Sequence, residues 1–164
     1  MIPRLLVALG VVATLAAVNL RVVQLERALA SGQRVLLPIA GYDPRSLMQG
    51  DYWRFTVDLG VAAVVPADAR RGTVILVLDD DGLVRDVAAD DGRALGPAER
   101  RAVWTRHGDD PRLIPEEWFI EEGTADDWTS ARRAEARITP DGVLLLTGLT
   151  DEDGRRLGPL RRRW

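Results

Sequence analysis

The sequence contains no cysteine and no lysine, and each absence excludes a class of chemistry. Without cysteine the chain has no disulfide, no thiolate nucleophile and no cysteine-based metal site. Without lysine it cannot use a Ser–Lys dyad, a Schiff base or the lysine of a phosphate-binding loop. A single histidine, His107, excludes metal sites built from several histidines. Serine–histidine catalysis would need a pair such as Ser46 and His107, and nothing in the sequence positions these two together. We therefore predict no metal and no cofactor.

The formal net charge of −3 is small, so it gives no reason to expect a nucleic acid as a partner. Adjacent carboxylates occur at 116–117, 121–122 and 126–127. An acid/base pair requires surroundings that separate the two pKa values, and a solvent-exposed face gives the same sequence pattern. The three aspartates at 79–81 do not match a calcium loop, because Val77 occupies the first ligand position.

The amino terminus contains an uncharged run, "LLVALGVVATLAAVNL", at residues 5–20. As a helix this run spans about 24 Å, compared with a hydrocarbon core of about 30 Å. Extension to residues 2–23 makes the length sufficient, with Arg21 reaching toward the headgroups. A cleaved signal peptide is the alternative, but Thr14–Ala16 matches a cleavage site poorly and the helical pattern continues to Gly32. We predict an anchor and stalk over residues 1–32, with 2–23 in the lipid bilayer.

The charges that flank this segment leave its orientation open. Arg21, Arg27 and Arg34 follow the apolar run, so the positive-inside rule would place the following domain in the cytoplasm. A short basic tail before the run, here ending at Arg4, is equally typical of a signal-anchor whose domain is exported. The two patterns disagree.

Residues 33–164 consist of short apolar runs separated by Gly/Asp turns, which predicts an all-β sandwich or barrel-like domain. The expected strands are 34–40, 51–59, 73–79, 83–89, 102–106, 112–122, 134–139 and 143–149. Asp81-Gly82 and Asp141-Gly142 predict hairpins, because both residue types tolerate the positive φ of a type I′ turn. A third hairpin is expected around 107–111, with His107 in its loop. Short helices are expected within 96–104 and 124–134.

Residues 50–55, "GDYWRF", resemble a family signature. Together with the apolar amino-terminal helix, the block 34–52, "EEWFIEEG" at 116–123 and the hairpin at 134–149, they make the chain similar to the GDYXXLXY domain family of bacterial membrane-anchored proteins. Two positions depart from the signature: Phe55 replaces its leucine and Val57 replaces its last tyrosine.

The resemblance implies an exported, single-pass protein of the bacterial cytoplasmic (inner) membrane. Members of this family are often encoded near multi-pass membrane proteins, and the family has no established biochemical activity. On this basis we expect the carboxy-terminal domain to be extracytoplasmic, in the periplasm, and to work with a multi-pass membrane protein.

The candidate binding residues come from the signature and from the Glu-Gly motif. They are Asp43, Arg45, Gly50, Asp51, Tyr52, Trp53, Glu122 and Gly123. In one interpretation they build the loop, with Asp43 capping a turn, Gly50 supplying a positive φ and Arg45 pairing with Asp51. In the other they form a charged lip on a groove, with Tyr52 and Trp53 on opposite faces of the strand and Glu122 as a second carboxylate.

These observations favour a non-catalytic accessory or interaction protein. The alternative is a carboxylate-based hydrolase that acts on a cell-envelope polymer, with Asp51 and Glu122 as its catalytic pair. Such a pair would lie roughly 5 to 10 Å apart in an open cleft.

Overall fold

The computed structural model describes residues 2–42, 52–122 and 124–158. This part of the chain contains a long helix α1 (Ile2–Ser31), a short helix α2 (Val61–Val64) and a 3₁₀ turn (Ala125–Trp128). Its strands are β1 (Gln33–Tyr42), β2 (Tyr52–Val57), β3 (Arg71–Leu78), β4 (Val84–Ala89), β5 (Glu99–His107), β6 (Asp110–Arg112), β7 (Glu117–Phe119), β8 (Arg133–Ile138) and β9 (Leu144–Thr150). The mainly β fold class with one amino-terminal helix and short further helices is confirmed.

Helix α1 carries no charged residue between Arg4 and Arg21, and the span Leu9–Ser31 is not buried by the protein. That span is long and apolar enough to cross a membrane. Its polar side chains bond within the helix: the Thr14 hydroxyl donates to the Gly10 carbonyl at 2.9 Å, and the Asn19 amide donates to the Leu15 carbonyl at 2.8 Å. Hydrocarbon offers no other partner to such groups, so this arrangement suits a helix in lipid.

The chain divides into two compact units, Met1–Gly32 and Gln33–Trp164. In the second unit the strands form two antiparallel sheets, one with the order β7-β2-β1-β8-β9 and one with the order β4-β3-β5-β6. Strand β1 is the centre of the first sheet, since it pairs with both β2 and β8. Strand β3 holds the matching position in the second sheet, between β4 and β5.

Apolar side chains from both sheets share one core. The fully buried members include Leu37 on β1, Phe55 on β2, Leu76 on β3, Trp104 on β5 and Leu149 on β9. In each strand alternate side chains point to the same face of the sheet, so residues 35, 37 and 39 of β1 and residues 74, 76 and 78 of β3 supply this core. The paired inner faces explain the sandwich that the turn spacing predicts.

The two sheets are also joined through their hairpin turns. The Leu36 amide of β1 donates to the Gly82 carbonyl in the β3–β4 turn at 2.8 Å. In the reverse direction, the Val103 amide of β5 donates to the Gly142 carbonyl in the β8–β9 turn, also at 2.8 Å. Each turn therefore covers edge groups of the other sheet that would otherwise be unpaired.

The hairpins at Asp81-Gly82 and Asp141-Gly142 are confirmed, but the predicted type I′ geometry is wrong. In the described part of the chain only glycines have positive φ, among them Gly82 at +80° and Gly142 at +79°. The first turn is one residue longer: Gly82 donates to the Asp79 carbonyl at 3.0 Å and the Asp79 amide donates to the Leu83 carbonyl at 2.9 Å. The Asp79 carboxylate also accepts the amides of Asp81 and Leu83, which favours this longer turn.

Two further predictions need correction. The helix expected within 96–104 is absent from the described structure, because residues 99–107 form β5 and pair along β3. The third hairpin is only partly correct: β5 pairs with β6 across Gly108, but β7 pairs with β2 in the other sheet. His107, expected in the loop, is the last residue of β5. A single 3₁₀ turn does form within 124–134.

Candidate functional site

The signature strand β2 turns alternate side chains toward the core. Trp53 and Phe55 are buried, while Arg54 between them is exposed. The Tyr52 backbone pairs with Phe119. Because Trp53 lies in the core, the described structure assigns it to packing rather than to an open groove.

The other candidates of the signature cannot be compared with one another. Asp43, Arg45, Gly50, Asp51 and Gly123 lie outside the described residues, and Tyr52 is described by its backbone only. Glu122 is exposed in a turn that follows β7. Apart from Trp53, the predicted set therefore stays a prediction.

Three tryptophans gather at the β2–β7 end of the first sheet. Trp53 lies opposite Trp118 in the β2–β7 register, and the Trp118 ring centroid is 6.3 Å from that of Trp128. The indole N–H groups of Trp53 and Trp128 are buried without a hydrogen-bond partner among the described residues. Gly41 of β1 makes room for this packing, because a Cβ there would lie 2.7 Å from Cζ2 of Trp53. This aromatic cluster was not predicted, although the tryptophans in two expected strands were its signal.

A cleft of about 670 Å³ opens on the second sheet, and it is larger than two other clefts of about 360 and 250 Å³. We call it the β5 cleft. It is lined by Arg71, Val103, Thr105, His107, Arg112, Leu113, Ile114, Pro115, Glu116, Glu117, Val143 and Leu144. Its volume lies in the range of small-molecule sites, roughly 300 to 1,000 Å³. No pattern in the sequence indicates this cleft, because the strand register and the β8–β9 turn bring its walls together.

The carboxylates in the wall of the β5 cleft are held by arginines. Glu116 pairs with Nε of Arg112 at 3.1 Å, and its side chain is only 15% exposed. The Glu116 carbonyl accepts the Phe55 amide at 3.1 Å. This hydrogen bond joins the segment between β6 and β7 to the signature strand β2. Glu117 pairs with Arg54 at 3.2 Å on the surface. The Glu116 carboxylate also accepts the Val57 amide at 3.5 Å, so both carboxylates have partners in the structure.

A second group of ion pairs lies at the β3–β5 side of the molecule. Arg101 and the Thr73 hydroxyl both donate to Asp90 at 2.6 Å, and these hydrogen bonds lower the pKa of that carboxyl well below its usual range. Arg93 donates to both oxygens of Glu99, which lowers the pKa of Glu99 to about 2 and raises the pKa of Arg93. Both carboxyl groups are ionised at neutral pH, which suits a structural role and not a general acid.

The described ranges contain no group of three or more His, Asp or Glu residues that could hold a metal ion. The largest of the three clefts is the β5 cleft, and Trp53 and Phe55 of the signature strand face inward.

Comparison with known proteins gives one match. The sequence model described as "GDYXXLXY protein" matches residues 14–149, which is most of the chain. No curated protein and no solved structure matches the chain.

Proposed function

Because the chain belongs to the GDYXXLXY family, we propose that it is a single-pass membrane protein whose β domain acts as a non-catalytic accessory subunit. The observation that carries this proposal is helix α1. A helix that is apolar all round is either buried in a protein core or spans a membrane, and the span Leu9–Ser31 is not buried. A bilayer is the environment in which that surface is stable.

The ion pairs of three carboxylates in the described ranges support a role in binding. Glu116 is paired with Arg112, Asp90 with Arg101 and Glu99 with Arg93. Acid/base catalysis needs a carboxyl group whose pKa is moved toward the working pH, whereas the pKa values of Asp90 and Glu99 are lowered. We assign these carboxylates to the stability of the fold, and we assign the exposed surface of the domain to recognition of a partner.

We place the β domain on the extracytoplasmic side of the bacterial inner membrane, with a multi-pass membrane protein as its partner. This is the orientation that membership of the GDYXXLXY family implies. The chain has no cysteine, so a single introduced cysteine is its only thiol. We expect Asp91→Cys, at an exposed turn, to react with a membrane-impermeant maleimide in intact spheroplasts. A cysteine that is protected until the membrane is permeabilised would contradict this orientation.

The accessory role is tested by purification in a mild detergent followed by mass spectrometry. We expect a multi-pass membrane protein at a stoichiometric ratio. The matched control is a chain whose residues 2–23 are replaced by an unrelated membrane-spanning helix, so that membrane attachment is kept. Purification of the tagged chain alone, from cells that express it at its natural level, would count against an accessory subunit.

A hydrolase that uses Asp51 and Glu122 remains the alternative hypothesis. It predicts that Glu122→Gln and Asp51→Asn each abolish release of fragments from purified envelope polymer while the fold is kept. The accessory role predicts that neither the unchanged chain nor these variants release such fragments.

A further inference from the structure

The polar end of the β5 cleft consists of three donors on one side of the second sheet. Arg71 of β3 lies opposite Thr105 of β5 in the strand register. His107 is two residues further along β5, so its side chain shares the face of Thr105. All three residues line the cleft. A guanidinium, a hydroxyl and an imidazole therefore stand within one or two strand positions of each other.

The charges that face the cleft are compensated except at this end. Arg112 is neutralised by Glu116, and Glu117 is neutralised by Arg54. In the described part of the chain Arg71 and His107 form no ion pair (Asp109 and Asp110, which follow His107, do not line the cleft). The uncompensated charge is thus the positive charge of Arg71, which favours an anionic group.

The other end of the cleft is apolar. Val103 precedes Thr105 by two residues on the same face, and Val143 and Leu144 come from the β8–β9 hairpin. Val143 is 38% exposed, and outside α1 the only other large apolar side chain exposed to this degree in the described ranges is Phe119. Val143 therefore adds apolar surface to the open wall of the cleft.

We propose that the β5 cleft binds a small apolar carboxylate, such as a short acyl-chain acid. The carboxylate would lie against the Arg71 guanidinium, which suits a two-oxygen acceptor, with Thr105 and His107 as further donors. The acyl chain of the ligand would cover Val103 and Val143. This combination of an apolar wall with a few convergent polar groups is the usual construction of a small-molecule site. The site goes beyond the accessory role and does not depend on the anchor or its orientation.

The single histidine makes the proposal testable by NMR. In the full-length chain in a mild detergent, His107 gives one imidazole ε1 C–H resonance. Titration with hexanoate at constant pH should shift this resonance saturably, with a Kd on the order of 1 mM for so small a ligand. Hexan-1-ol at the same concentrations should give no saturable shift, because it has no charge for Arg71. Butanoate should bind roughly tenfold more weakly, because it lacks two methylenes.

Two variants locate the binding site, and a third variant serves as the control. Arg71→Ala should weaken hexanoate binding about tenfold or more, because a charged hydrogen bond is lost. Val143→Ser should weaken hexanoate binding by a few-fold and reduce the preference over butanoate. Arg70→Ala removes an exposed neighbouring arginine that does not line the cleft, and it should bind as the unchanged chain does.

Three results would each overturn the proposal. The first is no saturable shift of the His107 resonance with hexanoate. The second is an equal response to acetate and hexanoate, which would indicate an adventitious anion only. The third is binding to Arg71→Ala that equals binding to Arg70→Ala in chains with unchanged tryptophan fluorescence.

Discussion

Gly142 and Gly154 hold equivalent places in two turns, and only one of them is crowded. Each donates its amide to the carbonyl three residues earlier, and each has a φ of +79°. A Cβ at Gly142 would lie 2.8 Å from the Arg101 carbonyl oxygen, whereas nothing lies within 4 Å at Gly154. The first glycine is therefore required twice, by its backbone conformation and by the contact between the two sheets.

We expect Gly142→Ala to destabilise the fold by about 3 kcal/mol and Gly154→Ala by about 1 kcal/mol. Both substitutions place a side chain at positive φ, but only the first also pushes against β5. Urea unfolding of the full-length chain, followed by tryptophan fluorescence, measures the two free energies. Equal losses would show that the approach of the β8–β9 turn to β5 contributes no stability.

Asp90 and Glu99 make the stability of the fold depend on pH. Their pKa values in the folded chain are lowered, that of Glu99 from an ordinary 4.5 to about 2. A group with a lowered folded pKa contributes stability above its unfolded pKa and loses that contribution as the pH falls toward the folded value. The unfolding free energy should thus fall between about pH 4.5 and pH 2.

The Asp90→Asn variant should be less stable than the unchanged chain at pH 7, by about 1 kcal/mol, because Arg101 loses a charged acceptor. It should also lose less stability between pH 5 and pH 3. Asp68→Asn, at an exposed position without an ion pair in the described structure, is the control and should follow the unchanged chain. The measurement is denaturant unfolding at both pH values. If the unfolding free energies of Asp90→Asn and Asp68→Asn depended on pH in the same way, the contribution assigned to the Asp90 carboxylate would be contradicted.

Asp51 separates the two interpretations of the signature. If it holds the loop, Asp51→Ala should lower the melting temperature. If it belongs to a binding surface, the variant should melt normally and recover less of the membrane partner. Scanning fluorimetry and purification in a mild detergent measure the two quantities, and a variant that is unchanged in both would contradict both interpretations.

At the scale of elements, the segment from β6 to β7 connects the two sheets. Leu113 and Ile114 are buried in the core, and the Glu116 carbonyl then accepts the Phe55 amide of β2. The Glu116 carboxylate lies 3.1 Å from Nε of Arg112, which is buried and forms an ion pair with it but no hydrogen bond in the described structure. This crossover therefore fixes where the signature strand lies relative to β6.

Glu116→Ala should destabilise the fold by about 1 to 3 kcal/mol, because it leaves the partly buried Arg112 guanidinium without an opposite charge. Glu117→Ala is the matched control, since its ion pair with Arg54 is about half exposed on both sides, and it should cost at most about 0.5 kcal/mol. Thermal and urea unfolding of the two variants provide the comparison. A loss at Glu117 as large as that at Glu116 would show that burial of the crossover pair is not what matters.

At the scale of the whole molecule, the β core is complete without helix α1. Every residue of the buried cluster lies between Val35 and Leu149. Removal of residues 1–32 should leave the melting temperature of the β domain within a few degrees of that of the full chain, while it abolishes sedimentation with membranes after carbonate washing. A truncated chain that fails to fold would show that α1 contributes to the domain.

Much of the fold could be predicted because its elements correspond to short-range patterns in the sequence. The anchor is predicted by one apolar run. The strands predicted at 34–40, 73–79 and 143–149 come from short apolar runs bounded by Gly/Asp turns, and β1, β3 and β9 form there. The failures share one cause. Pro97 favours a helix within 96–104. Residues 99–105 form a strand instead, because they pair with residues 71–77 of β3. Tertiary pairing there outweighs local propensity.

The sequence alone determined that this protein has an apolar helix, a β-rich remainder and no cysteine, lysine or multi-histidine chemistry. Composition is a property of the residues themselves, and hydrophobic patterns are local along the chain. Neither requires knowledge of a tertiary contact. Only the tertiary structure decided that Trp53 packs inward, that Glu116 is paired with Arg112, and that Arg71, Thr105 and Val143 line one cleft. Those contacts depend on strand register and on turns that close over another sheet, and register is set by the whole core at once.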